Sequence, residues 1–336
     1  MEDLTEVLRA GETVVKRRRQ SRRRRENTAT IDSRNFTKAN WFCRMMSIPA
    51  ISESQTSATL RVFTMWSAVL AYFISGLLGV FFPELLSALF FMKFTGHDKA
   101  YWRINCALLT VIGFLYIVMA KSRPLITGNG AILGTVPERL LFVVAVLVWL
   151  CYQSLLSLPF AAAFSLLDSV LAIVTYIIWY RNTPEASLKK CLVEIGKLMI
   201  PFLGPAKNWS SNIVQIISYL EMVISVTLIV RPDVARDLMG LDAFQGFSKG
   251  MVSLFFMQMV VIGWLQVLGG GDGNEACPIA AVFYRIAWKI PVVSLMYYFN
   301  HLERGFALAV AVADLASASV ILISLCVEVL PSKKDN

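Results

Sequence analysis

Histidine is almost absent from this chain. Only His97 and His301 occur in 336 residues, and they fall in separate loops. A metal centre gathers three or four ligands, usually including His or Cys, so neither a metal site nor a bound cofactor is expected. Cysteine is sparse and unpatterned. Cys43, Cys106, Cys151, Cys191, Cys277 and Cys326 form no CxxC pair, and several sit inside apolar runs. That excludes a zinc ribbon or a disulfide framework and leaves packing or palmitoylation as their use. Charge is scarce too, at 16% of residues against about 25% in soluble domains. No Ser/His/Asp, Cys/His or paired-carboxylate arrangement stands at enzyme-like spacing, so the chain does not read as an enzyme. A membrane enzyme acting on lipid ranks third among the readings kept open. The run Gly269-Gly270-Gly271-Asp272-Gly273 follows an apolar segment and lacks the Lys-Ser/Thr of a phosphate loop; it reads as a flexible loop. The charged start, followed by a basic run, lacks the apolar core of a secretory signal.

What the chain has is apolar length. It is 56% hydrophobic, with a mean hydropathy of +0.60. Eight apolar segments lie at about 60–82, 102–120, 139–157, 160–180, 212–230, 251–268, 279–299 and 305–328, each near the roughly 20 residues a bilayer requires. Transmembrane strands would alternate over about ten residues. These runs are continuous, so the fold class is an all-α integral membrane protein with eight transmembrane helices.

Landmarks recur along the chain in one order. Phe82-Pro83-Glu84 ends the first segment and Arg231-Pro232-Asp233 the fifth. Val111-Ile112-Gly113-Phe114-Leu115 lies in the second and Val261-Ile262-Gly263-Trp264-Leu265 in the sixth. Arg139 precedes Asp168 by 29 residues, and Arg285 precedes Asp314 by the same 29. The offset between landmarks is 149 or 150 early and 146 later. The expectation is two four-helix repeats; four is even, so they are parallel. The domains are then a basic, largely disordered cytosolic tail (1–58), repeat 1 (59–181), a linker (182–211), repeat 2 (212–329) and a short tail (330–336). Within the linker, Leu188, Cys191, Leu192, Ile195, Leu198 and Met199 share one helical face, and Lys189, Lys190, Glu194 and Lys197 the other. That predicts an amphipathic helix on the membrane surface, stopped by Pro201 and Pro205.

The candidate site residues are the charges placed in apolar segments: Asp168, Glu221, Arg285, Lys289 and Asp314. Each carboxylate costs about 2.5–3.5 kcal/mol at mid-bilayer even on the lenient insertion scale. Lys289 and Asp314 lie equally far from the turn between the last two segments, so the rise per residue allows an ion pair at mid-depth. Arg139 lies near the cytosolic end, too far from Asp168 for direct contact. Asp168 is expected to be protonated or to reach Arg103, Asn105, Gln153, Arg285 or Lys289. Two readings stand: charges that balance one another and fix the packing, or a polar path for a solute or ion. Pro291 should kink the seventh helix beside Lys289. Small residues at four-residue spacing, such as Ser67, Ala71, Ser75 and Gly79, read as close packing or as a homodimer face.

Lys16, Arg17, Arg18, Arg19, Arg22, Arg23, Arg24 and Arg25 place eight positive charges in ten residues. Near a membrane such a run attracts anionic lipid, each residue adding about 1 kcal/mol; an arginine-based retention signal is the other reading, and nucleic acid is not an expected partner. Lys and Arg bias puts both termini in the cytosol, of the endoplasmic reticulum or the plasma membrane. Neither sequon, Asn35-Phe36-Thr37 or Asn208-Trp209-Ser210, should then carry a glycan. Membrane lipids, and protein partners or a second copy, are the expected company.

Leu60-Arg61-Val62, the apolar span ending Phe82-Pro83-Glu84, and Arg103-Ile104 with Ala107-Leu108-Leu109 resemble the p53-inducible protein 11 family of small four-helix membrane proteins. The Asp168 helix, ending Ile177-Ile178-Trp179-Tyr180-Arg181, is similar to small uncharacterised four-helix bacterial membrane proteins. The resemblance covers residues 60–180 and, faintly, 212–328. It implies a multi-pass protein linked to restraint of proliferation, without an established chemical activity. Duplication and an intramembrane Asp depart from that family's pattern, and no catalytic residue carries over.

Overall fold

The computed structural model of the chain describes residues 58–121, 130–183, 185–202, 208–273, 276–299 and 301–329. The basic run at 16–25, Trp41 to Met46, the Asn35 sequon, Cys43, Pro205 and the tail lysines Lys333 and Lys334 lie outside the described residues. Every regular element among the described residues is helical. Eight helices are long and apolar enough to cross a membrane: Thr59–Phe81, Asp98–Lys121, Gly130–Tyr152, Leu158–Asn182, Trp209–Val230, Ser248–Gly271, Ala276–Tyr298 and Arg304–Glu328. They are called spans one to eight below.

Prolines set several boundaries. Phe82 and Arg231, each before a proline, leave helical geometry at φ −125°, ψ 60° and φ −124°, ψ 65°, as the clash with a following proline ring demands. Pro83 and Pro232 then open short helices, Pro83–Leu89 and Pro232–Met239. An acid in each first turn meets a lysine near the start of the next span: Glu84 pairs with Lys99, and Asp233 with Lys249 at 2.9 Å. Hydrogen bonding to those lysines holds both carboxyls below their usual range.

Span three begins nine residues earlier than its hydropathy suggests. Thr135, Glu138 and Arg139 depress the apolar signal, yet all three are buried and bonded inside the protein. Its end comes at Tyr152 because Ser154 turns into the left-handed region at φ +56°.

Spans two and six are the centre of the fold; nearly all of span six is buried. Asn105 donates to the Met251 carbonyl at 3.0 Å and to that of Tyr101 at 2.8 Å. Asp98, fully buried, accepts from Ser248 Oγ at 2.7 Å, from the Phe247 amide at 3.1 Å and from Thr95. One carboxylate therefore ties the starts of both central spans. The loops between spans one and two, five and six, and seven and eight meet on this face. His97 Nδ1 lies 3.3 Å from the His301 carbonyl oxygen, so the two separate loops that carry the histidines touch.

On the opposite face lies the linker helix, Leu188–Met199, capped by Ser187 Oγ on the Lys190 amide and ended before Pro201. It does more than rest on a membrane. Cys191, Ile195 and Leu198 are buried, and the Leu198 carbonyl accepts from Gln215 Nε2 at 2.7 Å. Leu188, Leu192 and Val193 remain exposed. The glycines after Leu268 correct a second expectation. Gly269, Gly270 and Gly271 form the buried last turn of span six rather than a flexible loop. A Cβ on Gly271 would stand 2.0 Å from the Leu198 carbonyl oxygen, one on Gly270 2.7 Å from that of Ser211 and one on Gly269 2.8 Å from the Cys277 sulfur, so three different neighbours pack directly on these residues.

Candidate functional site

Four of the five predicted charges form one network in spans five, seven and eight. Arg285, fully buried, donates through Nη2 to both oxygens of Glu221 at 2.8 Å, and its Nε lies 3.6 Å from Asp314 Oδ1. Lys289 Nζ donates to Asp314 at 3.0 Å. Ser317 Oγ adds a bond to Glu221 at 3.1 Å, and Gln266 lies between Arg285 and the Tyr284 hydroxyl. Two positive and two negative groups balance. Apolar neighbours enclose the buried Lys289: Met259 Sδ lies 3.2 Å from its Nζ, and the Phe255 ring covers it at 5.7 Å.

Asp168 stands apart from that network, with partners other than those expected. It accepts a short hydrogen bond from the Tyr72 hydroxyl, and Arg139 Nε lies 3.8 Å from its Oδ1. The expected distance between Arg139 and Asp168 is thus corrected. Span three starts early, so Arg139 is well inside it, and the long guanidinium stem covers the rest of the gap. Arg139 lies over two neighbouring aromatic rings, 4.6 Å from that of Tyr116 and 5.4 Å from that of Tyr72. Tyr116 donates to Glu138 at 2.9 Å. Tyr72, Tyr116, Glu138 and Arg139 complete this second network. Arg139 was marked in the sequence by its 29-residue spacing to Asp168; the only hint of Tyr72 and Tyr116 was that they are tyrosines in lipid-length apolar runs.

A common backbone device presents these groups. Spans one, three and seven each contain a stretch of wider π-helical turns, at Ala68–Ile74, Glu138–Val143 and Arg285–Lys289. Those stretches carry Tyr72, then Glu138 and Arg139, then Arg285 and Lys289. The extra residue per turn re-aims a side chain without ending the helix, and such bulges concentrate at functional positions. In span seven the bulge sits just before Pro291, whose missing N–H cannot support an ordinary helical bond.

Beside the second network is a cavity of about 240 Å³. Along span two, Asn105, Leu109, Ile112 and Tyr116 line it at helical spacing, so it follows one face from Trp102 to Tyr116, about 21 Å by helical rise. Its walls are otherwise largely apolar, and exposed Leu89 and Ala163 form part of its rim. Its buried polar atoms are of both kinds, for Trp102 Nε1, a donor, also lines it unpaired among the described residues. Asp168 and Glu138 contribute carboxylates, and Asn105 Oδ1 and Gln258 Oε1 are buried without a hydrogen-bond partner among the described residues. The Asn105 amide cannot be turned to hide this, because its NH₂ already holds two carbonyls.

No protein-family model, curated protein or solved structure matches the chain.

Proposed function

We propose that this is a non-catalytic multi-pass membrane protein that binds a membrane amphiphile: a narrow apolar molecule bearing a hydrogen-bond-donating end, such as a hydroxyl or amine. The observation that carries the reading is the cavity, with its apolar walls and its unsatisfied acceptors Asn105 Oδ1 and Gln258 Oε1. A buried acceptor left unpaired costs about 1–3 kcal/mol, and a donor on the ligand recovers that. Against an acid stand the Asp168 and Glu138 carboxylates and two unpaired acceptors, with Trp102 Nε1 the one unpaired donor on the lining among the described residues, so a donor end is favoured over a carboxylate. The resemblance to the p53-inducible family, which lacks an assigned chemistry, agrees with a non-catalytic role in growth control.

Several observations support the finer architecture we propose, two tandem copies of one four-helix unit. The Glu84–Lys99 and Asp233–Lys249 pairs, left-handed Gly96 and Gly246, and the Arg139–Asp168 and Arg285–Asp314 contacts all recur in order. The sequence signal for the loops, Phe94-Thr95-Gly96-His97-Asp98-Lys99 against Phe244-Gln245-Gly246-Phe247-Ser248-Lys249, is short and polar and escapes a search for apolar runs. Both termini are read as cytosolic, with the basic tail on anionic lipid.

Transport of a small solute or ion is the second reading, favoured by the charges in apolar helices and their π-helical settings. Purified protein in nanodiscs, offered long-chain alcohols, amines and carboxylates and read by native mass spectrometry, separates the two. The expected result is retention of alcohols or amines over acids. Ala163→Trp should lose that retention by filling the rim, and proteoliposomes should show background flux. Solute or proton flux abolished by Asp168→Asn in folded protein would replace this reading with transport.

A further inference from the structure

The three loops that meet over spans two and six bring a second constellation together. His97, Asp242 and Glu303 come from loops between spans one and two, five and six, and seven and eight, and their ligand atoms lie within 4.8 Å of one another. His97 Nε2 is 3.7 Å from Asp242 Oδ2 and 3.9 Å from Glu303 Oε1.

The chain is built to hold these groups in place. The helix Pro232–Met239 ends at left-handed Gly240, and buried Leu241 follows, which fixes Asp242. Span eight passes so close to that helix end that a Cβ on Gly305 would lie 1.5 Å from the Met239 carbonyl oxygen. This close approach sets Glu303 beside Asp242, whose amide donates to Glu303 Oε1 at 3.0 Å. The other Glu303 oxygen accepts a short bond from the Tyr101 hydroxyl. Asp98 next to His97 anchors that loop to span six.

The histidine itself gives the independent sign of a ligand. A carbonyl oxygen only accepts, so Nδ1, 3.3 Å from the His301 carbonyl, carries the proton. Nε2 then lies 3.7 and 3.9 Å from two carboxylates, whose paired negative charge a cation at that point would offset. A histidine whose far nitrogen is held by a carbonyl, with a carboxylate oriented by a hydroxyl, is the usual outer support of a bound transition metal.

We propose that His97, Asp242 and Glu303 bind one divalent cation of the zinc class, clasping three loops. Zinc bonds of about 2.0–2.2 Å in tetrahedral geometry put neighbouring ligand atoms about 3.3–3.6 Å apart, so the 3.7 and 3.9 Å from the imidazole and a spread within 4.8 Å over all three need a closure of at most about 1.5 Å. The imidazole selects against magnesium and calcium, which take oxygen ligands. The fourth position opens into a space of about 110 Å³ bounded by Gly96, Phe244, Gln245 and Ser248, room for a water. This inference is independent of the amphiphile reading.

The test is a titration of chelator-treated full-length protein in nanodiscs with zinc chloride, by calorimetry and by thermal melting, with magnesium chloride as control. We expect one His97-dependent zinc per chain and a raised melting temperature with zinc only. His97→Gln and Asp242→Asn alter partly or largely exposed side chains, so they should fold and lose the zinc. Tyr101→Phe should weaken binding about 10–100-fold as an outer-support change. His301→Ala should leave it intact, since only the backbone carbonyl is used. Absence of saturable zinc binding, or equal binding by His97→Gln with its metal-free melting temperature unchanged, would overturn the proposal.

Discussion

At the scale of residues, the two buried networks differ in how a lost charge would be felt. Removing one partner of a buried ion pair typically costs about 3–5 kcal/mol, because the other charge is stranded. Asp314 has a second cation, Arg285 Nε at 3.6 Å, while Lys289 has only the Met259 sulfur and the Phe255 ring besides Asp314. Asp314→Asn should therefore lower the thermal unfolding temperature more than Lys289→Met, and the double variant should recover part of the loss. Equal, additive losses in a double-mutant cycle would mean that the pair is not coupled. The charges themselves were legible in the sequence, since an acid or a lysine in an apolar run is conspicuous. Their partners were less so. Tyr72 and Tyr116 look like ordinary membrane aromatics until Asp168, Glu138 and Arg139 are placed beside them.

At the scale of elements, the central spans were easier to find than their ends. Apolar length locates a helix, but buried polar residues such as Thr135, Glu138 and Arg139 reduce the signal even though they never face lipid. The glycine run at 269–271 misled for a related reason. Glycine marks flexibility in a loop and close approach in a packed helix, and the sequence alone does not say which neighbour is near. For Gly271 the neighbour is the Leu198 backbone. Gly271→Ala should lift the linker helix and cost about 1–3 kcal/mol, as overpacking does. Faster amide hydrogen exchange across residues 188–199, with little change in the rest of span six, is the expected signature.

At the scale of the whole molecule, the start of span five and the end of span eight lie together. Ser210, wholly buried, donates through its amide and hydroxyl to Glu328 at 2.6 and 2.7 Å. The hydroxyl that a glycosylation enzyme would need in Asn208-Trp209-Ser210 is thereby occupied, in addition to the sequon's proposed cytosolic side. Deglycosylation should leave the protein's electrophoretic mobility unchanged, and a shift that Asn208→Gln removes would reverse the proposed orientation. The landmarks behind the proposed repeat were visible in the sequence, while the meeting of three distant loops was not. Nothing in the chain order draws His97 towards Asp242 and Glu303; the packing of spans two and six does.

The bond between those two central spans also bears on how the protein is made. Asp98 and Asn105 emerge from the ribosome well over a hundred residues before Ser248 and Met251, their partners in the finished fold. For that interval a carboxylate and an amide sit near or within the bilayer without their final bonds. Until span six arrives, the partners these groups have are local ones, Thr95 for Asp98 and the Tyr101 carbonyl for Asn105. A ribosome stalled before residue 248 would leave an intermediate with polar groups still to be matched, and this is the stage at which quality control would find the nascent chain.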